Sequence, residues 1–231
     1  MWSADTVDLS RLRQVQAVSF DRDYRITRRG ESFRVPGVTD IVGILDKPEL
    51  HAWREQQGTQ TANAVAKMAA DRGTRVHAAA LLLAQGQRIL GGPADSAVDT
   101  CVVNIAAWLE LHLGETLLCE TPVYHRTYLY AGRPDLLCTI RGRQGVWLLD
   151  LKASKAAKPY FEWVLQVAGY AQCDEVRKLA SHRQIHGAIL QVNPEGDCTP
   201  RLHEIKELAK HEATFLHALA IYNRKKEWET A

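Results

Sequence analysis

The sequence predicts an α/β domain, a central sheet flanked by helices and preceded by a helical N-terminal elaboration. Three observations lead there. Residues 60–86 and 95–113 read as two substantial helices. Residues 116–152 change character, to short apolar and β-branched runs divided by turn residues, the pattern of a meander. Beyond them, helical and strand patterns alternate to the end of the chain with no internal repeat or low-complexity linker. The expectation is one continuous domain, with 1–114 as hairpin and helical elaboration and 115–231 as the core.

Composition supports a folded chain. Of 231 residues, 46% are hydrophobic and 24% charged, which excludes disordered and collagen-like classes. The longest apolar run, from Ala78 to Ala84, falls far short of the roughly 18 to 20 residues that cross a bilayer. Net charge is +2, so contact with nucleic acid would need a local basic patch. The five cysteines, Cys101, Cys119, Cys138, Cys173 and Cys198, are odd in number and never form a CxxC pair, which argues against a disulfide framework or a zinc ribbon. The N-terminus holds Asp5, Asp8, Asp21 and Asp23 and lacks an apolar signal core. A reducing, cytoplasmic setting is expected.

Taken in order, residues 15–35 alternate as a hairpin whose polar turn is Arg28-Arg29-Gly30-Glu31. Pro36-Gly37 breaks the strand, Thr39 is positioned to cap a short segment to Leu45, and Pro48 sits near the first turn of another helix. After the two long helices, Gly114 reads as a C-terminal stop. Residues 117–124, 132–140 and 146–152 are the three strands of the meander. Pro159 opens a helix to about Ala180, residues 185–192 form a buried strand, and Asn193-Pro194-Glu195-Gly196-Asp197 turns into a short edge strand near 202–205. A final helix spans about 207–228, with Leu208, Phe215, Leu219 and Tyr222 on one side and a basic Arg224-Lys225-Lys226 end.

The chemistry gathers on the meander. Strand periodicity puts Asp150 and Lys152 on one face with Val146 and Leu148, two charges at the end of an otherwise apolar strand. Alone, that Asp-x-Lys reads first as a strand emerging into solvent. Pairing outward from a turn centred on Gly142-Arg143 sets Asp135 directly opposite Asp150, about 4.5–5.5 Å away at Cβ. Like charges at that distance repel unless a proton or a cation lies between them. A hard divalent cation, Mg²⁺ or Mn²⁺, resolves the conflict.

Gly132-Arg133-Pro134-Asp135, followed by Asp150-Leu151-Lys152, resembles the core of the PD-(D/E)xK nuclease superfamily. Four more segments, in order, resemble its RecB-like exonuclease branch, including stand-alone phage relatives and the mitochondrial single-strand exonuclease group. They are Val35-Pro36-Gly37-Val38-Thr39-Asp40-Ile41, Arg72-Gly73-Thr74-Arg75-Val76-His77, Glu120-Thr121-Pro122-Val123 and Gln166-Val167-Ala168-Gly169-Tyr170. Gly37 stands where the family often has Ser, and the cysteine set of its iron–sulfur members is missing, so no iron–sulfur cluster is expected.

The resemblance implies a restriction-endonuclease-like fold, a central mixed sheet flanked by helices. It implies a bacterial or phage-encoded deoxyribonuclease, an exonuclease using Mg²⁺ or Mn²⁺ on single-stranded or end-containing DNA in recombination or repair, with a single-strand annealing or recombination protein as partner. Carried over by position, the resemblance implies that His77, Asp135, Asp150 and the main-chain carbonyl of Leu151 hold the metal, and that Lys152 orients or activates the attacking water. Glu120 orients a ligand or serves a second metal, while Gln166 and Tyr170, one helical turn apart, reach the scissile phosphate and Lys152. Arg75, Lys155, Lys158, Tyr160 and Trp163 are the candidate DNA contacts, although a solvated loop leading into an amphipathic helix explains the last four equally well. The alternatives left open are a structure-specific or double-strand nuclease of the same fold and a catalytically silent DNA-binding relative.

Overall fold

The structure, a computed structural model, describes residues 6–8, 23–45, 55–56, 58–90 and 97–230. A five-stranded mixed sheet lies at its centre, flanked by helices. Its strands are β5 (Leu113–Cys119), β8 (Leu136–Ile140), β9 (Val146–Ala153), β10 (Ile185–Val192) and β11 (Arg201–Ile205), and they neighbour one another in that order. β9 and β10 run parallel and the other pairs antiparallel. Leu136 faces Leu149, Leu137 faces Leu148 and Cys138 faces Trp147, the register expected from a turn at Gly142-Arg143. Gly142 permits that turn with φ 75°. The edge strand is present, as is the turn at 193–197.

Period-two alternation sends each strand's apolar residues to two cores. Leu137, Val146, Leu148 and Ile189 meet one set of helices: α1 (Val38–Val42), α4 (Phe161–Ala171), α5 (Asp174–Ala180) and α6 (Leu208–Thr230). On the other face, α2 (Thr59–Ala84) and α3 (Ala97–His112) bring Val76, Ala80, Leu81, Cys101 and Ile105 against Leu151, Leu190 and Val192. The alanines of α2 matter because small side chains let its backbone approach the sheet. At the crossing of α4 and α6, a Cβ on Gly169 would sit 2.7 Å from the Phe215 ring.

A small hairpin and a separate parallel strand pair decorate the domain. β2 (Arg25–Arg28) and β3 (Glu31–Arg34) turn through Arg29 and Gly30, both with positive φ, as the sequence suggested. The first part of the 15–35 alternation and the Pro48 helix lie outside the described residues. A parallel pair joins β1 (Thr6–Asp8) to β4 (Arg88–Leu90).

Five expectations need correction. The strand at 117–124 is two strands, β5 and β6 (Val123–His125), because Glu120 adopts φ 43° and Pro122 follows. The strand at 132–140 likewise divides into β7 (Tyr130–Gly132) and β8 at Arg133-Pro134-Asp135, and β6 and β7 pair as an inserted hairpin. The helix from Pro159 to Ala180 breaks at Gln172-Cys173 into α4 and α5. Gly114 is no helix stop: α3 ends at His112 and β5 begins at once, and a Cβ at Gly114 would lie 2.4 Å from Thr139 Oγ1. Gly37, not Thr39, caps α1, with Asp40 Oδ2 accepting the Gly37 N–H at 3.1 Å.

Candidate active site

β8 begins at Leu136, and the residue before it extends the ladder by a different route. Asp135 Oδ2 accepts the Leu151 N–H at 2.7 Å, so a side chain replaces the strand's next backbone bond. Its carbonyl accepts the Glu120 N–H at 3.1 Å. Its other carboxylate oxygen lies 2.9 Å from His77 Nε2. Asp135 is thereby fixed by three elements at once, and it is 8% exposed. His77, in the second half of α2, also points Nδ1 toward Glu120 Oε1 at 3.7 Å. Arg133 Nη1 donates to the Glu120 carbonyl at 3.1 Å, steadying the left-handed residue.

Asp150 is more deeply placed, at 1% exposure. Lys152 Nζ lies 2.5 Å from its Oδ2, but not along a hydrogen-bonding direction, and neither Asp150 oxygen receives a directed hydrogen bond. Burial pushes the Asp150 carboxyl up to about 6, with Asp135 adding to the effect and Lys152 and His77 opposing it. For Asp135, burial also pulls upward, but His77, Lys152 and the Leu151 N–H outweigh it and hold the carboxyl below its ordinary range. Burial would lower His77, yet Asp135 and Glu120 raise it above the usual imidazole value. Three carboxylates therefore meet one ammonium and one imidazole.

Tyr170 is buried one turn along α4 from Gln166, whose Nε2 donates to the Tyr170 hydroxyl at 3.1 Å. Burial keeps the phenol protonated well above its ordinary range, so the hydroxyl can donate in turn. A Cβ at Gly132 would come within 2.3 Å of the Tyr170 ring, which explains the glycine beside the acidic turn. Trp163 lies on the same helix with its ring 5.8 Å from Lys152 Nζ, and Tyr160 meets it edge-on at 4.7 Å.

His77, Glu120, Asp135, Leu151 and Asp150, with Lys152, are thus gathered at one end of the sheet, and Trp163 borders them. Arg75, two residues before His77 on α2, lines a cleft with Met68, Arg72 and Pro194. Lys155 pairs with Glu195 at 3.1 Å, and Lys158 is exposed on the loop before α4. Sequence reasoning passed over Gln191. It is buried beside Lys152 in the β9–β10 register, and its Nε2 donates to the carbonyls of Ser154 and Ala156 at 2.8 and 2.7 Å. An isolated glutamine in an apolar strand was its only signal.

Among the described residues, no three His, Cys, Asp or Glu side chains form a ready-made metal cage. His77 is turned onto Asp135 and Glu120 instead, and Asp150 faces Lys152. The residues nonetheless suit a hard divalent cation. Imidazole and carboxylates are its ligand types, and Asp150 Oδ1 is buried with no hydrogen-bond partner inside the fold.

Neither a family model nor a curated protein matches the chain. Among solved structures, LHK-Exo in complex with dAMP is similar over 68% of this chain and 87% of that one, at 17% identity and a TM-score of 0.33. A likeness at that level carries no inference about chemistry.

Proposed function

We propose that this protein is a divalent-metal-dependent nuclease of the PD-(D/E)xK type, an exonuclease that hydrolyses phosphodiester bonds from single-stranded DNA ends in recombination or repair. One observation carries the reading. A fully buried carboxylate, Asp150, whose one close partner is the Lys152 ammonium, stands beside a second carboxylate and an imidazole at the end of an apolar strand. Burying such charges is costly, and packing alone gives no reason to retain them.

His77, Asp135, Asp150 and the Leu151 carbonyl would hold Mg²⁺ or Mn²⁺. When bound, the cation would acidify a water and offset charge on the phosphate. Lys152 would orient the attacking water and steady the growing negative charge. Tyr170, kept protonated and aligned by Gln166, would donate to a non-bridging phosphate oxygen. The water oxygen forms the new bond to phosphorus, the phosphorus–oxygen bond to the leaving nucleotide breaks, and the leaving oxygen ends protonated.

The test is a time course on DNA labelled at either end, linear or circular, with Mg²⁺, Mn²⁺ or EDTA. Linear single strands should shorten only with metal, and closed circles should persist. Asp150→Ala should lose cleavage by about a hundredfold or more while still binding DNA. Undiminished cleavage in EDTA, or full activity of Asp150→Ala, would overturn the reading.

A further inference from the structure

Beside the acidic cluster, three elements distant in sequence converge on one carboxylate. Arg72 of α2 brings Nη2 to 2.9 Å from Glu195 Oε1, and Lys155, just past the end of β9, brings Nζ to 3.1 Å from Glu195 Oε2. Glu195 sits in the turn between β10 and β11, where its N–H donates to Asn193 Oδ1 at 3.0 Å. Arg72 is the half-buried post of this trio, with its side chain 26% exposed, while Lys155 and Glu195 reach it from solvent.

As a strut the arrangement is weak, since solvent-exposed ion pairs of this kind add little to stability. What it supplies is geometry: two cations facing the two oxygens of one monoanion. A phosphodiester presents the same partner, two terminal oxygens sharing one charge, and a guanidinium suits it well. The position is also apt. Arg72 lies little more than one turn from His77 on α2, about 7.5 Å along the axis. Lys155 follows Lys152 within about 10 Å of extended chain. Gln191 fixes the loop under Lys155 by holding the carbonyls on either side of it, at Ser154 and Ala156. Arg75, on the same helix as Arg72, lines the adjoining cleft together with Asp71.

We propose that Arg72 and Lys155 form a binding notch for a backbone phosphate of the bound strand, and that Glu195 fills this notch until the phosphate displaces it. The proposal rests on the nuclease reading and adds a subsite to it. Exchange of one monoanion for another leaves the charge of the notch unchanged. The displaced Glu195 then lies close to the phosphate and repels it, so the residue acts as a brake on binding.

The experiment measures binding of a labelled oligothymidylate by fluorescence anisotropy in EDTA, so that nothing is cleaved, at several salt concentrations. Glu195→Gln should bind about fivefold tighter than wild type at low salt, with the gap closing as salt rises. Arg72→Gln combined with Lys155→Gln should bind more weakly and flatten the slope of log affinity against log salt by about 0.7, the loss of one phosphate contact. Melting curves accompany each protein. Unchanged or weaker binding by Glu195→Gln, or unchanged binding by the double variant, overturns the notch. The nuclease reading then stands if the wild type still binds DNA and cleaves it with metal. Absence of both binding and cleavage in the wild type overturns the two together.

Discussion

Two groups of ion pairs in this molecule solve opposite problems. Arg126, in the β6–β7 hairpin, spreads its guanidinium over Asp174 at 2.9 Å and Glu175 at 2.6 Å, all at the surface. Glu175 also accepts the Tyr124 N–H at 2.7 Å, so the hairpin is clamped to the start of α5 with every strong group satisfied. Asp150 and Lys152 do the reverse. Their charges lie where burial makes them costly, and the Asp150 oxygens take no directed hydrogen bond. The surface clamp makes mechanical sense as it stands, whereas the buried pair is poor mechanics and makes sense as chemistry.

The sharpest way to break that comparison is to replace the buried pair with apolar residues. Asp150→Leu with Lys152→Met should abolish metal-dependent cleavage and raise stability by about 1–4 kcal/mol, read from denaturant unfolding. A marked loss of stability would make the pair structural after all. Gly132→Ala comes next, because it forces a Cβ into the Tyr170 ring between the two regions. It should cost about 1–3 kcal/mol and reduce cleavage by displacing the tyrosine. A fully stable, fully active variant would show that the ring shifts freely.

Smaller effects are expected at the clamp. Arg126→Ala should cost about 1 kcal/mol and change the cleavage rate little, as thermal melts and a single-turnover assay would show. A loss of activity as large as that of an Asp150 variant would erase the distinction drawn here. The smallest effect is one of pH. Burial holds His125 below its ordinary value of 6.5, against the pull of Asp174. Its Nδ1 accepts the Tyr128 N–H at 3.2 Å, a bond that the neutral ring alone can make. Because the folded pKa is depressed, this stability is present above 6.5 and lost as pH falls through the lower folded value. Melting temperature should therefore fall more on mild acidification for wild type than for His125→Gln, and equal falls would remove His125 from the account.

Much of this was legible because local geometry and chemistry agree. The β8–β9 register follows from Gly142 and the apolar alternation of Leu137 with Leu148, and that register brings Asp135 and Asp150 together. The strand breaks were passed over because apolar residues resume on the far side of Glu120-Thr121-Pro122 and of Arg133-Pro134-Asp135, while what decides them is the left-handed Glu120 and the Asp135 side chain taking over a backbone bond. Gly114 was misread because a glycine after a helix signals a cap, whereas here it admits Thr139. Glu195 carried no signal at all: its partners come from α2 and from the loop after β9, and only the folded chain brings them within reach. His77 became a candidate through resemblance to other sequences, since nothing local in α2 marks one of nine histidines.

The order in which the chain is made adds a consequence. α2, which bears His77, precedes every strand of the five-stranded sheet, and β9, which bears Asp150 and Lys152, must still pair with a strand that follows two further helices. The last helix, α6, then supplies Phe215 to the close contact with Gly169 in the helix that carries Gln166 and Tyr170. No prefix of the chain that stops before Lys152 can contain the constellation, and one that stops before α6 lacks its support. A fragment released before Lys152 is made therefore lacks the cluster, and one released before α6 holds it without the helix that packs against Gly169.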